Sequence, residues 1–405
     1  MARTDALIIG SGIVGCSCAY FLARAGQTVT LLEMEQIAYG ASGRNPGFVW
    51  LHTRNPGFAL DVSLASRRLY RELVDELEES FEFRESGGLI FFATPQQGQV
   101  VREFVEARGK DGLELELLDG AEVRRLVPPI REDVLGASYC PLDAHINTPM
   151  FVKALASGAR RLGADVREGV AAEEIIFEGG RATGVRTPEG VLEADHVVVA
   201  AGVWTRGLLA EAGIDMQIGA ERLQVLATQP LEERIEPVVY GPLAAKQYGL
   251  FRDLPSYDDA FFVSEYEERA GVELLALLGQ RVNGQVLLGC PMDYPVELDA
   301  TPTLEGLAVT AQAALEDFPG LRRSPIERTW AGLLPYTTDT APVIGEIRPG
   351  LLVASGHVYG NSAGPMTGKL ISSLVADEEP ELDLGECRFE RDLPPLPAPG
   401  TATRW

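Results

Sequence analysis

The chain is poor in the residues that build metal centres and crosslinks. Four histidines in 405 residues (His52, His145, His196 and His357) are too few and too dispersed for a metal cluster, so no metal is expected. Five cysteines, Cys16, Cys18, Cys140, Cys290 and Cys387, are too scattered for a disulfide framework. Cys16 and Cys18 stand two apart on an expected helix, point in different directions and form no CxxC pair. Reduced thiols and a cytoplasmic location are the expectation. Basic residues are also scarce, 35 against 59 acids, giving a formal net charge of −24. A surface this acidic repels phosphate backbones, which argues against nucleic-acid partners. No uninterrupted apolar run approaches the roughly eighteen residues of a spanning helix. The apolar N-terminus is broken by Gly10, Gly12 and Gly15, and it lacks the basic start and cleavage boundary of a signal peptide.

What the chain does have is 46% hydrophobic residues, enough for a large core, and 43 glycines, three of them in a telling place. Gly10-x-Gly12-x-x-Gly15 alone is weak, because 43 glycines produce that pattern by chance roughly 0.5 times per chain. Its context carries the weight. "ALII" before it reads as a buried strand. After it, Ile13, Val14, Ala19, Phe21 and Leu22 suit a helix packed on a sheet, and Gly26 stands where a helix stops. "TVTLLE" reads as a second parallel strand ending on Glu33. In such a unit Gly10 permits the tight turn and Gly12 lets a pyrophosphate approach the backbone. Gly15 lets the helix press on the strand. The helix N-terminus, from Ile13 and Val14, offers N–H groups to phosphates. Glu33 can accept hydrogen bonds from both ribose hydroxyls and repels a 2′-phosphate. A dinucleotide site is expected, with NAD and FAD both open at this point.

Further segments separate the two. "YGASGRNPGF" (39–48) follows the second strand as a polar loop, and "ADHVVVAAGVWT" (194–205) is another buried strand ending in Ala201-Gly202. "RTWAGLLPYTTDTAPVIG" (328–345) and "GLLVASGHVYGNSAGPMTGKLI" (350–371) lie near the C-terminus. Together these resemble the D-amino-acid-oxidase-like family of FAD-dependent oxidoreductases, which includes glycine, sarcosine and D-amino-acid oxidases and dehydrogenases. The resemblance covers most of the chain and fades between about 221 and 325.

The resemblance implies an α/β (α+β overall) fold, with a Rossmann-like FAD-binding domain interleaved with a second, mainly antiparallel β-sheet substrate domain. Residues 1–85, 141–220 and 326–390 fall to the first, residues 86–140 and 221–325 to the second, and 391–405 to a loosely attached Pro-rich tail. It implies that Ser42, Gly43, Arg44 and Asn45 line the pyrophosphate, that Val170 lies along the adenosine, and that Ala201, Gly202 and Trp204 pass close to the cofactor. Gly332, Gly356 and His357 border the flavin. Gly360, Asn361 and Ser362 set a helix N-terminus where negative charge builds on reduction.

The implied activity oxidises the C–N bond of an amine or amino acid (D-, N-alkyl or cyclic) by hydride transfer to flavin N5. The resulting imine hydrolyses, and oxygen or another acceptor takes the electrons. Family members clamp the substrate carboxylate with an arginine in the loop after Trp-x-Gly, where this chain reads Leu334. Arg54 and Arg252 are the candidates to replace it. Monomeric sarcosine oxidases attach the flavin to a cysteine near this loop, and the chain has none between Cys290 and Cys387. Non-covalent FAD is therefore expected, with a histidine link at His52 left open. Lys246, Tyr248, His52, Gln280 and Tyr359 are the candidate catalytic residues, Lys246 for oxygen activation and Gln280 on a flavin-facing strand. Trp50 also follows the pyrophosphate loop closely enough to approach the ring. The alternatives are an FAD-binding subunit of a hetero-oligomeric opine- or hydroxyproline-type dehydrogenase, and a flavin monooxygenase. The monooxygenase normally shows a Gly-Asp pair before the final helix, which "VASGHVYGNSAGP" lacks. Oligomeric state, homo- or hetero-, stays open.

Overall fold

The structure, a computed structural model, describes residues 3–265, 267 and 272–397. Two eight-stranded sheets organise it. In the first, Leu351–Ser355, Gly190–Val199, Thr4–Ile9, Val29–Glu33 and Asp165–Glu168 run parallel in that spatial order. Parallel strands are covered on both faces, so they must be apolar throughout. The "ALII" segment meets this condition, with Ala6, Leu7 and Ile8 fully buried. The helices Ile13–Arg24, Thr148–Arg161 and Gly360–Val375 cover one face. Gly368 lets the last of them press onto the backbone of Ser17 in the first, where a Cβ would stand 2.4 Å from the Ser17 carbon. The Arg181–Thr187 strand pairs antiparallel with both Glu174–Glu178 and Gly190–Val199, the two hairpin turns expected from the sequence.

The second sheet orders Ile326–Tyr336, Gly219–Pro230, Gln285–Asp293, Glu273–Gln280, Val238–Tyr240, Gly88–Phe92, Gly136–Cys140 and Glu116–Asp119. All its pairings are antiparallel except Val238–Tyr240 with Gly88–Phe92. One expected boundary moves. Residues 326–336 were assigned above to the nucleotide domain, yet this strand pairs with Gly219–Pro230 along almost its whole length. The crossing into the first sheet therefore falls after Tyr336. A two-stranded pair, Phe48–Val49 with Ala144–His145, ties the loops between the sheets.

The tail is also less loose than its composition suggests. Arg391 forks onto Asp339 at 2.7 and 3.1 Å, and Thr338 donates to the Pro394 carbonyl at 2.9 Å. These contacts hold the chain against the 336–341 loop as far as the described residues go. Residues 398–405 lie outside them.

One buried acid gives the fold a pH dependence. Glu221, on the Gly219–Pro230 strand, is fully buried; Oε1 accepts from Tyr294 at 2.8 Å and Oε2 has no partner. Burial, with a smaller contribution from Glu273 and Asp293, raises its pKa from 4.5 to about 8. The folded state thus holds a proton that the unfolded chain releases. The stabilisation is complete below pH 4.5 and is lost as pH rises towards 8, a change of order 5 kcal/mol. Asp317, raised to about 7 by burial, acts in the same direction. We expect the thermal midpoint to fall between pH 5 and 8 and Glu221→Gln to flatten that fall. Identical pH profiles for the two proteins would show that Glu221 is not the titrating group.

Candidate active site

Two cavities adjoin between the sheets and share Ala41, Asn45, Leu333, Leu334, Gly360 and Asn361. The first is built on the glycine turn. Gly10 has φ +100°, and a Cβ on it would sit 2.6 Å from the Ala200 carbonyl oxygen. Gly15 meets the Gly10 carbonyl in the same way, so it backs the turn without lining the cavity. Gly12 differs: its backbone is extended (φ −72°, ψ −174°), and a Cβ would meet only the Ser42 oxygen, 3.2 Å away. Its missing side chain leaves the cavity open.

Ile13 and Val14 line the cavity beside it, and Ser42 accepts the Ile13 N–H at 2.9 Å. Glu33 lies at the end of the second strand, buried. Its Oε2 accepts the Ser11 N–H (2.9 Å) and hydroxyl (2.7 Å), and its Oε1 accepts the Glu35 N–H at 3.0 Å. Three of a carboxylate's roughly four acceptor positions are thus used within the protein. Glu33 can take about one further hydroxyl, where the sequence suggested two.

Val170, Ala201, Gly202, Trp204, Gly356 and His357 complete the walls. His357 contacts Thr367 through Nε2 at 3.0 Å, and burial depresses its pKa to about 3, so it is neutral. Neither Gly12 nor Tyr359, the residues preceding the two helices that end here, offers a side-chain cap. Ser42 takes the Ile13 N–H and the Tyr359 carbonyl takes that of Ser362, so what the helices Ile13–Arg24 and Gly360–Val375 bring to this cavity is chiefly their positive dipole ends. Glycine-opened backbone, two helix N-termini and an acid at the strand end are the donor set a dinucleotide needs, so these residues fit FAD.

The second cavity is aromatic and aliphatic. Trp50 stacks on Tyr240 with ring centroids 4.0 Å apart, and Tyr248 and Tyr359 join them. Leu223, Val225, Leu275, Leu277, Cys290 and Met292 enter from three neighbouring strands of the second sheet. Only Arg44 and Arg54 among its lining residues carry charge. Burial raises the phenols of Tyr240, Tyr248 and Tyr359, while Arg54 pulls each back. All three stay protonated and able to donate.

The residues expected at the site divide. Tyr248 and Tyr359 line the second cavity, as do Gly332 and Ser362; Gly360 and Asn361 border both. Ser362 bonds Trp50 through both backbone polar groups, at 3.0 and 3.1 Å. Asn361 donates to Asn45 at 2.8 Å, joining the two loops at the border. Of the pyrophosphate loop, Ser42 and Asn45 reach the first cavity. Arg44 turns instead into the second, stacking over Tyr39 and donating to its carbonyl. Gly43 lines neither cavity and is packed against Ala38.

Three expected catalytic residues lie outside both cavities. Lys246 pairs instead with buried Glu267 at 2.5 Å. Gln280 ends its strand as a loop clasp, accepting Ile235 N–H at 2.8 Å and donating to the Glu233 carbonyl at 2.9 Å. His52 is fully buried behind Trp50, with ring centroids 4.9 Å apart. Its Nδ1 lies 3.2 Å from Asp143 and its Nε2 2.8 Å from Ser138. That placement keeps the ring out of both cavities, against the histidine link that the sequence left open. Of the two candidate arginines, Arg54 lines the second cavity, whereas Arg252 is exposed and lines neither. Tyr240 and Thr53 escaped the sequence reading. Tyr240 lay inside the 238–262 stretch expected to form a pocket wall, but nothing local distinguished it there.

Comparison with known proteins agrees with this geometry. The family model "FAD dependent oxidoreductase" (DAO) matches residues 5–374. Glycine oxidase of Bacillus licheniformis is 29% identical over 381 residues, 92% of this chain and 93% of that protein. Mitochondrial dimethylglycine dehydrogenase of Rattus norvegicus is 27% identical, spanning 95% of this chain and 44% of its own length. Among solved structures, glycine oxidase from Bacillus cereus superposes with a TM-score of 0.80 at 24% identity, covering 96% and 99% of the two chains.

Proposed function

From the premise that the chain belongs to the DAO family of FAD dependent oxidoreductases, we propose that it oxidises the C–N bond of an amine or amino acid held in the second cavity. The observation that carries this reading is the contact between cavities. A glycine-opened dinucleotide cleft and an apolar pocket share one border at Ala41, Asn45, Leu333, Leu334, Gly360 and Asn361. Gly10, Gly12, Glu33, Ser42, Asn45, Ala201, Gly202 and His357 are proposed to hold the cofactor. When bound, FAD supplies the two-electron acceptor for a hydride from the carbon bearing the amine.

The protein's own part is to orient, dry and neutralise. Trp50, Tyr240 and the aliphatic strand residues exclude water, so desolvation favours the uncharged amine from which a hydride can leave. Among the described residues no Asp or Glu lines the cavity to hold the amine as an ammonium. The phenols of Tyr240 and Tyr248, both beside Arg54, can accept or donate hydrogen bonds without ionising. Leu334, at the border, offers no charge to a carboxylate there. Lys246 is paired with Glu267, and among the described residues no lysine lines either cavity.

The test is anaerobic mixing of the FAD-loaded protein with D-amino acids, N-alkyl amino acids, cyclic imino acids and simple amines. Substrates bleach the flavin absorbance near ~450 nm. Readmitting air then shows whether oxygen accepts the electrons. A yellow protein bleached by dithionite but by none of these amines would overturn the proposal.

A further inference from the structure

We propose that Arg84 and Arg281 bind a chloride-sized anion in a small pit behind the substrate wall, apart from both cavities. The inference goes beyond the C–N oxidation reading and does not depend on it.

Charge is the first observation. The chain carries 59 acids and 35 bases, yet the pit is lined by two half-buried arginines and a single acid, Glu82. Among the described residues neither guanidinium forms an ion pair. Arg84 donates through Nη2 to the Gln280 carbonyl, and Arg281 through Nη1 to the Gln285 side chain at 3.3 Å. Arg84 Nε has no partner. Burial, then the nearby Arg234, lowers the Arg84 pKa, and burial followed by Arg328 lowers that of Arg281. Both stay charged, because an arginine starts above pH 12. Glu82, Glu236 and Glu327 oppose this only in part. The Glu82 Oε2 accepts from Asn147 at 3.2 Å instead of reaching either fork. His145, also in the wall, is neutral, its pKa held to about 3 by burial and by Arg84. Two cations against one carboxylate leave room for one negative charge.

Size is the second observation. The pit takes about one water-sized particle. A halide fits that space, whereas a phosphate or a bulky carboxylate has to leave most of its atoms outside.

The surroundings say what the anion does. Pro46 lines both the pit and the second cavity. Phe48, on the cavity side, meets the His145 ring edge-on with centroids 5.4 Å apart. Arg281 lies over Trp330, 5.9 Å from the ring centroid, and the indole donates to the Arg44 carbonyl at 2.8 Å. An anion shared by the two guanidiniums therefore braces the segment from Arg44 to Phe48 from behind.

The experiment titrates the FAD-loaded protein, its dinucleotide cleft filled, with sodium chloride while sodium gluconate keeps the ionic strength constant. Chloride NMR line width and the thermal midpoint are read. Wild-type protein is expected to broaden the chloride line saturably and to melt higher as chloride replaces gluconate. Arg84→Gln and Arg281→Gln each weaken binding at least ~10-fold. Glu82→Gln tightens it about 3-fold by removing the one opposing charge. Arg54→Gln, a change in the second cavity, leaves it as it was. No saturable broadening, broadening that survives both arginine substitutions, or broadening lost in Arg54→Gln alone would each overturn the inference. Should the arginine variants fail to fold, Glu82→Gln decides: chloride binding there no tighter than in wild type sinks the site.

Discussion

Replacing Gly12 by aspartate yields a folded protein that no longer retains FAD. The residue adopts φ −72° and ψ −174°, open to any amino acid, and an added Cβ meets only the Ser42 oxygen at 3.2 Å. The backbone is therefore unstrained, and only the Ser42 side chain has to shift by a few tenths of an ångström. The new carboxylate enters the space between the glycine turn and the Ser42 loop, where the proposed pyrophosphate lies. Two unit charges about 4–5 Å apart at an effective dielectric near 20 repel by roughly 3–4 kcal/mol, several-hundred-fold in affinity. Gly10→Asp serves as the contrast. At φ +100° and 2.6 Å from the Ala200 carbonyl, a side chain there strains the turn itself. Gly12→Asp should purify colourless with a far-ultraviolet spectrum and melting transition close to the wild-type apoprotein, and flavin fluorescence titration should show the lost affinity. A yellow Gly12→Asp protein would sink the placement of the cofactor.

The second large effect concerns Asp143, which touches neither cavity. It is fully buried. Oδ1 accepts the backbone N–H groups of Leu51 (2.6 Å) and His52 (3.2 Å), while Oδ2 faces the His52 ring at 3.2 Å. Asp143→Ala strands two backbone donors and one imidazole nitrogen in a dry interior. A loss of about 3–5 kcal/mol is expected, as when one partner of a buried pair is removed. Asp143→Asn keeps an acceptor for the two amides and should lose less than half as much. Urea unfolding of the three proteins reads the difference directly. The stack His52–Trp50–Tyr240 gives the change a functional side as well. With its rear support gone, Trp50 no longer holds the cavity wall, and substrate KM should rise in Asp143→Asn even where folding is preserved. An Asp143→Ala protein as stable as wild type would remove this network from the account of the fold.

His52 shows why the sequence could not assign it. It follows the Ser42–Asn45 loop by only a few residues, which puts it near the cofactor in sequence, and its chemistry suits catalysis. Its partners, Ser138 and Asp143, come from some ninety residues away, and they turn the ring into the core. Lys246 and Gln280 were misplaced for the same reason. Glu267 neutralises the lysine, and the backbone of Glu233 and Ile235 claims the amide. Arg54 is the converse case. Nothing near it in sequence separates it from a surface arginine; only the cavity wall and the Tyr359 ring do.

The glycine turn, the strand ending on Glu33 and the helix opened by Gly360 were legible because each is a local unit. Strand, turn and helix follow one another within about thirty residues, and backbone geometry alone dictates where glycine must stand. The family followed from several such units in order. The register of the second sheet is a different kind of fact. Ile326–Tyr336 lies beside Gly219–Pro230, a hundred residues away, and that pairing brings Leu333 and Leu334 to the border of the two cavities. Antiparallel pairing is specified by which faces bury together, a property of two distant segments at once. The sequence by itself determined the glycine turn and the strand ending on Glu33; tertiary structure decided the substrate wall, because side chains from the Trp50–Arg54 loop, Tyr359 and three strands meet there only after the sheets have closed.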